Sequence, residues 1–188
     1  MSAVVIYESM FGNTRQIADA IAEGLGADHQ VTVRNVNDVS PGWCEGNELM
    51  VIGGPTHVHG MSRVATRAQA RSWALQPERN LALEPGAPGR GMRDWIADPT
   101  TVLSPHFAAF ASRADGPVLL SGNAAVQLDR AARRRGSSRL ACPESFRVTK
   151  ANTTCVGEVP RAREWGRRLA AEAVANGVGR RAAPSPGS

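Results

Sequence analysis

Two hydrophobic periods alternate along this chain, and the switches between them divide it into strands and helices. Val4, Val5 and Ile6 form an unbroken apolar run, as expected of a parallel strand buried on both faces. From Thr14 to Leu25 the spacing becomes helical: Ile17, Ile21 and Leu25 stand four apart, with Ala18 and Ala22 beside them and Gly26 as the stop. Gln30 to Val36 sets Val31, Val33 and Val36 among polar residues and predicts a second strand at a sheet edge. The run from Leu49 into Gly53-Gly54 predicts a third strand. Ser62 to Leu75 predicts a helix that Ser62 can cap, with Val64, Ala68 and Trp73 among its apolar positions. Residues 76–90, with Pro77, Pro85, Gly86, Pro88 and Gly89, read as a mobile loop.

Further on, Met92 to Ala97 reads as a short helix with Trp95 and Ile96 apolar, and His106 to Ala111 as the fourth strand. Ala124 to Arg135 reads as a helix stopped by Gly136. Arg139–Cys142 and Ser145–Val148 read as two pieces of a fifth strand, interrupted by Pro143. Pro160 to Asn176 predicts the last helix, with proline in its first turn and Ala162, Trp165, Leu169 and Ala173 inward. Strands alternating with helices call for an α/β fold with a parallel sheet. Residues 1–176 read as one domain and residues 177–188 as a disordered basic tail.

Composition narrows the class. A chain of 188 residues is long enough for one full core. No apolar run approaches the ~20 residues of a membrane span, and the first strand starts too early to leave room for a signal peptide. Cys44, Cys142 and Cys155 are an odd set without metal spacing, which suits a reduced, cytoplasmic protein. In that setting the Asn152-Thr153-Thr154 sequon is a chance match.

The chemistry concentrates where strands hand over to helices. Ser9-Met10-Phe11-Gly12-Asn13-Thr14 links the first strand to the first helix. Free backbone N–H groups and the positive end of the helix dipole meet there and favour an anion. Gly12 lets the backbone curl around a phosphate, and Ser9, Asn13 and Thr14 add side-chain donors. An ordinary turn capped by Ser and Thr would look similar. A nucleoside-triphosphate loop would need Gly-Lys-Ser/Thr, and a dinucleotide fingerprint three spaced glycines; neither is present. The second loop, Gly53-Gly54-Pro55-Thr56-His57-Val58-His59-Gly60, follows the third strand, permits close backbone approach and then bends stiffly at Pro55-Thr56. In a doubly wound sheet the first and third strands are neighbours, and ligands sit in the crevice at their carboxyl ends.

The first loop resembles the FMN-phosphate loop of the flavodoxin family in its Ser-x-x-Gly-Asn-Thr form, and the Gly-Pro-Thr loop resembles the segment that lies along the isoalloxazine ring. The resemblance runs from about residue 3 to residue 175. It implies a five-stranded doubly wound parallel sheet of order 2-1-3-4-5, with helices on both faces. It implies FMN as cofactor, its phosphate on Ser9 to Thr14 and its ring beside Pro55 to Gly60. Ser112-Arg113-Ala114-Asp115-Gly116-Pro117 occupies the position that covers the other side of the flavin, which makes Ser112, Arg113 and Gly116 further cofactor neighbours. The aromatic residue that many flavodoxins lay flat on the ring has no tyrosine equivalent: Tyr7, the only one, belongs to the first strand and the core. His57, Val58, His59 or a tryptophan from elsewhere is left as ring neighbour. Arg15 is expected to point to solvent.

Other constellations are weaker. His57 and His59 would need more ligands to hold a metal, and His29, His106 and Cys44 lack supporting spacing. Cys155-x5-Arg161 imitates a phosphatase signature, but Glu158 would repel phosphate and Pro160 lacks an N–H. Charge is uneven: residues 1–129 hold 9 basic and 13 acidic side chains, residues 130–188 hold 13 and 4. Arg130, Arg133, Arg134 and Arg135 share one helix, and Arg161, Arg163, Arg167 and Arg168 another. They read either as solvated faces or as a surface for an acidic protein partner, an anionic surface or nicotinamide-nucleotide phosphates. Nucleic acid is not expected, because no aromatics interleave these arginines. The expectation is a flavodoxin-like carrier passing electrons between a reductase and an acceptor. An NAD(P)H-dependent quinone or small-molecule reductase and an interaction module without FMN are the alternatives.

Overall fold

The computed structural model describes residues 1–26, 29–117 and 122–179. Its strands are β1 (Ser2–Tyr7), β2 (Gln30–Asn35), β3 (Leu49–His57), β4 (Gly60–Met61), β5 (His106–Ala114), β6 (Ser138–Arg139) and β7 (Glu144–Val148). Its helices are α1 (Asn13–Leu25), α2 (Val64–Ala74), α3 (Met92–Ala97), α4 (Ala124–Arg134) and α5 (Glu158–Ala175). Residues 180–188, most of the expected tail, lie outside the described residues.

The sheet order is β2-β1-β3-β5-β6, with β7 also on β5 and β4 folded back on β3. The predicted order 2-1-3-4-5 is thus observed, with β5 as the fourth strand and β6 and β7 as the two pieces of the fifth. Both pieces run parallel to β5, with Phe107 opposite Arg139 and Phe110 opposite Glu144. The outer strand spends two more residues than β5 between those pairs, and Pro143 lies in that bulge, where no ladder N–H is missed. Ala3, Val5, Tyr7, Leu49, Val51, Ala108 and Phe110 face α1 and α5. Val4, Ile6, Met50, Ile52, Phe107 and Ala109 face α3 and α4. This two-sided burial is what the unbroken apolar runs required.

Two expectations change. The stripe assigned to the α2 region does not face inward: Val64 is 70% exposed, Trp73 38%, and the helix buries only Arg67 and Ala70. Ser62 does not cap it; the first turn is closed by Thr66 Oγ1, which accepts from Arg63 N–H at 2.9 Å. Residues 76–90 are tied down. Glu84 N–H donates to Met10 O at 2.8 Å, Arg90 N–H donates to Asn37 Oδ1 at 2.7 Å, and Gly89 packs directly on the Asn37 side chain.

Helix ends follow local rules. Behind α5, Val178 N–H reaches Ala173 O and Gly177 N–H reaches Val174 O, and Val178 is buried against the helix it closes. Gly136, at φ +85°, closes α4 in the same way. The arginines expected on α4 and α5 are mostly committed inside the molecule. Arg133 and Arg139 pair with Asp129, Arg163 with Glu23, and Arg167 with Glu164. Arg135 donates to the carbonyls of Ile96, Asp98 and Thr101.

Helices α1 and α5 touch backbone to backbone. A methyl on Gly24 would overlap the Arg163 carbonyl oxygen, and one on Gly166 would overlap the Ile21 carbonyl oxygen. Gly24→Ala therefore has to push the helices apart. It should destabilise by about 1–3 kcal/mol and lower the melting temperature by roughly 3–10 °C. Gly46, around which nothing lies within 4 Å, carries no such packing cost. A Gly24→Ala protein melting like wild type would contradict the crossing.

Candidate functional site

At the carboxyl ends of β1, β3 and β5 the chain forms a cleft of about 260 Å³. It is lined by Ser9, Met10, Phe11, Asn13 and Thr14 from the first loop, by Pro55, Thr56 and His57 from the second, and by Ser112 and Arg113. Three segments distant in sequence therefore converge, as the crossover order of β1 and β3 requires. Gly12 backs the first loop from its outer side. Val58, His59 and Gly60 line a neighbouring cleft, and Gly116 lines neither.

The first loop is built to leave donors open. Gly12 precedes α1 at φ +91°, a conformation that suits glycine, and no side chain caps the helix. The amides of Asn13, Thr14 and Arg15 belong to the first turn and have no intrahelical acceptor. Ser9 Oγ accepts from Gly12 N–H at 3.1 Å, which closes the loop and leaves the Ser9 hydroxyl proton available. Thr14 Oγ1 lies 2.7 Å from Ser112 Oγ, with both side chains buried. When Ser112 donates in that pair, the Thr14 proton is free. Asn13 is directed elsewhere: its Nδ2 donates to Asn152 Oδ1 at 2.8 Å, tying the loop to the turn after β7.

Arg15 does not stand free. Its guanidinium lies 3.1 Å from the Glu84 carboxylate, and Glu84 Oε1 lies 3.3 Å from where a Gly12 side chain would start. The segment read as a mobile loop thus supplies a wall beside the first loop and pairs its one cation. Trp73, at the end of α2, also lines the cleft, and Arg79 of that segment places its guanidinium 5.2 Å from the ring centre. Trp73 is thus a tryptophan from outside the three loop segments that lines the cleft. It went unread as a site residue because its helical spacing pointed to the core.

Behind the second loop lies a buried polar cluster with no sequence signal of its own. Arg67, 3% exposed, donates to Ser62 Oγ at 3.1 Å and to Asp94 Oδ2 at 2.6 Å. Glu8 Oε2 accepts from Met92 N–H at 2.8 Å, while Glu8 Oε1 is buried without a partner. Burial holds the Glu8 carboxyl above its usual range. Burial, with Arg67 nearby, pushes the His57 imidazole down to about 4, so His57 is neutral at pH 7. Val58 and His59 turn the chain back at φ +45° and +69°, and His57 pairs with Gly60 across the turn.

Among the described residues no three His, Cys, Asp or Glu side chains converge to hold a metal. Burial pushes the Cys44 thiol up to about 12. Arg161, the basic residue of the phosphatase-like spacing, is occupied by Glu158 and Glu144. No helix among the described residues is long and apolar enough to cross a membrane.

A flavodoxin profile matches residues 5–84, which span β1 through the Glu84 wall. No curated protein matches the chain in sequence. Among solved structures it is similar to a flavodoxin from the domain Archaea, at 18% identity over 92% of this chain and 98% of that one, with a TM-score of 0.58. It is also similar to flavodoxin 1 from Bacillus cereus, at 16% identity over 90% and 97% and a TM-score of 0.59. A third is a WrbA-like flavodoxin from Agrobacterium tumefaciens, at 21% identity over 94% and 98% and a TM-score of 0.54. At these identities the structural likeness is one of fold.

The low His57 value has a pH consequence. An ordinary histidine binds its proton near pH 6.5 when unfolded, and His57 does so only near 4 when folded. Between those values the unfolded chain carries more protons, so this residue costs stability as pH falls from 6.5 to 4. His57→Gln should flatten that part of the stability curve, read as urea midpoint against pH. Parallel curves for the two proteins would refute the assignment.

Proposed function

We propose that this chain, similar to flavodoxins in sequence over residues 5–84 and in fold over most of its length, holds FMN between the ends of β1 and β3 and carries electrons between a reductase and an acceptor. The observation that carries this reading is the uncapped amino end of α1, which opens into a cleft whose other walls suit a planar ring. The residues present fit the group. The Asn13 and Thr14 amides and the Ser9 and Thr14 hydroxyls offer donors for a phosphate without a basic side chain, and the Arg15–Glu84 pair leaves that end close to neutral. Pro55, Thr56 and His57 flank the ring position on one side and Ser112 and Arg113 on the other, with Trp73 at the margin.

The bound flavin supplies the redox chemistry, and the protein supplies orientation and electrostatics. Neutral His57 adds no charge beside the ring at pH 7, and the apolar faces of Trp73 and Pro55 keep water from that edge. Val58, His59 and Gly60 hold the far side of the ring loop, and Gly116 stands at the end of the β5 segment. The open donors of the first loop argue against a module that has lost its cofactor. Free Cys44, Cys142 and Cys155 support a reducing, cytoplasmic setting. The acidity of the redox partner rests on Arg130, Arg134 and Arg168, the arginines of α4 and α5 left without partners among the described residues.

Riboflavin lacks the phosphate and should bind far more weakly than FMN. A lost hydrogen bond to a charged group costs about 1.5–3 kcal/mol, so Thr14→Ala should weaken FMN binding roughly 10-fold or more. Flavin fluorescence quenching measures both, and equal affinities for the two flavins would remove the phosphate assignment. The FMN-loaded protein mixed with NADPH alone should not oxidise it, whereas adding a reductase should reduce the flavin. Turnover without a reductase would favour the enzyme.

A further inference from the structure

A second cleft, of about 250 Å³, lies on the far side of the His57–Gly60 turn. His57 lines both clefts and forms part of the wall between them. Arg63 and Thr66 from the start of α2, Arg93 from α3 and Gln127 from α4 complete the lining, and no carboxylate is among its described residues. The donors there are fixed by their own bonds. Arg93 Nε donates to Ser62 O at 3.0 Å, and Nη2 donates to Met61 O at 2.9 Å and to Gln127 Oε1 at 3.3 Å. Met61 N–H also donates to Gln127 Oε1, at 3.0 Å. With two donors directed at Oε1, the Gln127 amide has only one sensible orientation, and its Nε2 donors are left over. Gly60 has no side chain because this amide lies flat against it.

Three donor groups therefore lack acceptors among the described residues: the Arg63 guanidinium, Arg93 Nη1 and Gln127 Nε2. Thr66 Oγ1 beside them is already engaged, accepting from Arg63 N–H and donating to Arg63 O. A cleft with spare cationic and amide donors and no carboxylate in its lining is complementary to an anion. Its volume is that of roughly eight waters, enough for a phosphate or a small dicarboxylate and its first waters. The Arg93 and Gln127 groups are held by several bonds each, so they need little reordering to receive a ligand.

We infer that this cleft is a binding site for the oxyanion of a small molecule, a carboxylate or a phosphate, gripped by Arg63, Arg93 and Gln127 beside the ring-side turn. The site is separate from the first loop and does not depend on flavin being bound.

The test is titration of the isotope-labelled full-length chain with inorganic phosphate and, separately, with malonate, at constant ionic strength. Amide shifts of Val58, His59 and Gly60 and the Gln127 side-chain NH₂ should move saturably. Preference between the two anions identifies the phosphate or the carboxylate source. Arg63→Gln should weaken binding roughly 5-fold or more, whereas Arg63→Lys should retain most of it. Arg63 contributes only its backbone to the turn of α2, so both variants should fold. Phosphate also binding at the first loop would move Gly12 and Thr14 instead, and Thr14→Ala would remove only those shifts. Absence of saturable shifts at Val58–Gly60 and Gln127 with both anions, or shifts that Arg63→Gln leaves intact, would overturn the proposal.

Discussion

The backbone crossing of α1 on α5 at Gly24 and Gly166 fixes where the amino end of α1 comes to rest. A helix is stiff along its axis, so anchoring it in its last turns aims its first. Ile17, Ile21 and Leu25 hold the buried face of α1 to the sheet, and Ala162, Trp165 and Leu169 hold α5 over it. The uncapped first turn then faces the gap between β1 and β3 with no residue of its own reaching across. The donors of the first loop are a product of core packing as much as of the loop sequence.

The walls around that end come from segments that a linear reading keeps apart. Glu84 closes on Met10 and Arg15, Asn152 on Asn13, and Ser112 on Thr14. The contacts join the first loop to the connection between α2 and α3, to the turn after β7 and to β5, so its shape is set by three independent attachments. The charge imbalance of the C-terminal third serves a related purpose. Asp129 and Glu158, both 3% exposed, draw arginines onto the ends of α4, β6, β7 and α5. At Glu158 burial alone would raise the carboxyl's pKa, but hydrogen bonds from Arg161 and Arg147 hold it below the usual range.

The strands and the two loops at their ends were legible because apolar runs and glycine-rich turns are local signals, whereas the strand order came from the resemblance those loops carry. The inward face of the last helix was legible for the same reason: Ala162, Trp165, Leu169 and Ala173 are all buried. The face of α2 was not, since its buried member is an arginine whose partners are Ser62 and a carboxylate on α3, and no periodicity marks a long-range ion pair. Trp73 was misplaced by the same blind spot. The loop at residues 76–90 looked mobile from its prolines and glycines, but its order depends on Asn37 and on the Met10 carbonyl, neither of which its own sequence contains.

The turn at Val58 and His59 adopts a shape that Asn-Gly fills at little cost, yet it is made here from a β-branched residue and a histidine in left-handed conformations. Each such residue costs on the order of 1–3 kcal/mol. The surrounding contacts, Gln127 flat on Gly60 and the bridge from His59 to Gly122, hold the turn in that shape. The fold therefore keeps an unrealised reserve of stability at the wall its two clefts share, one that residues suited to left-handed backbone would release.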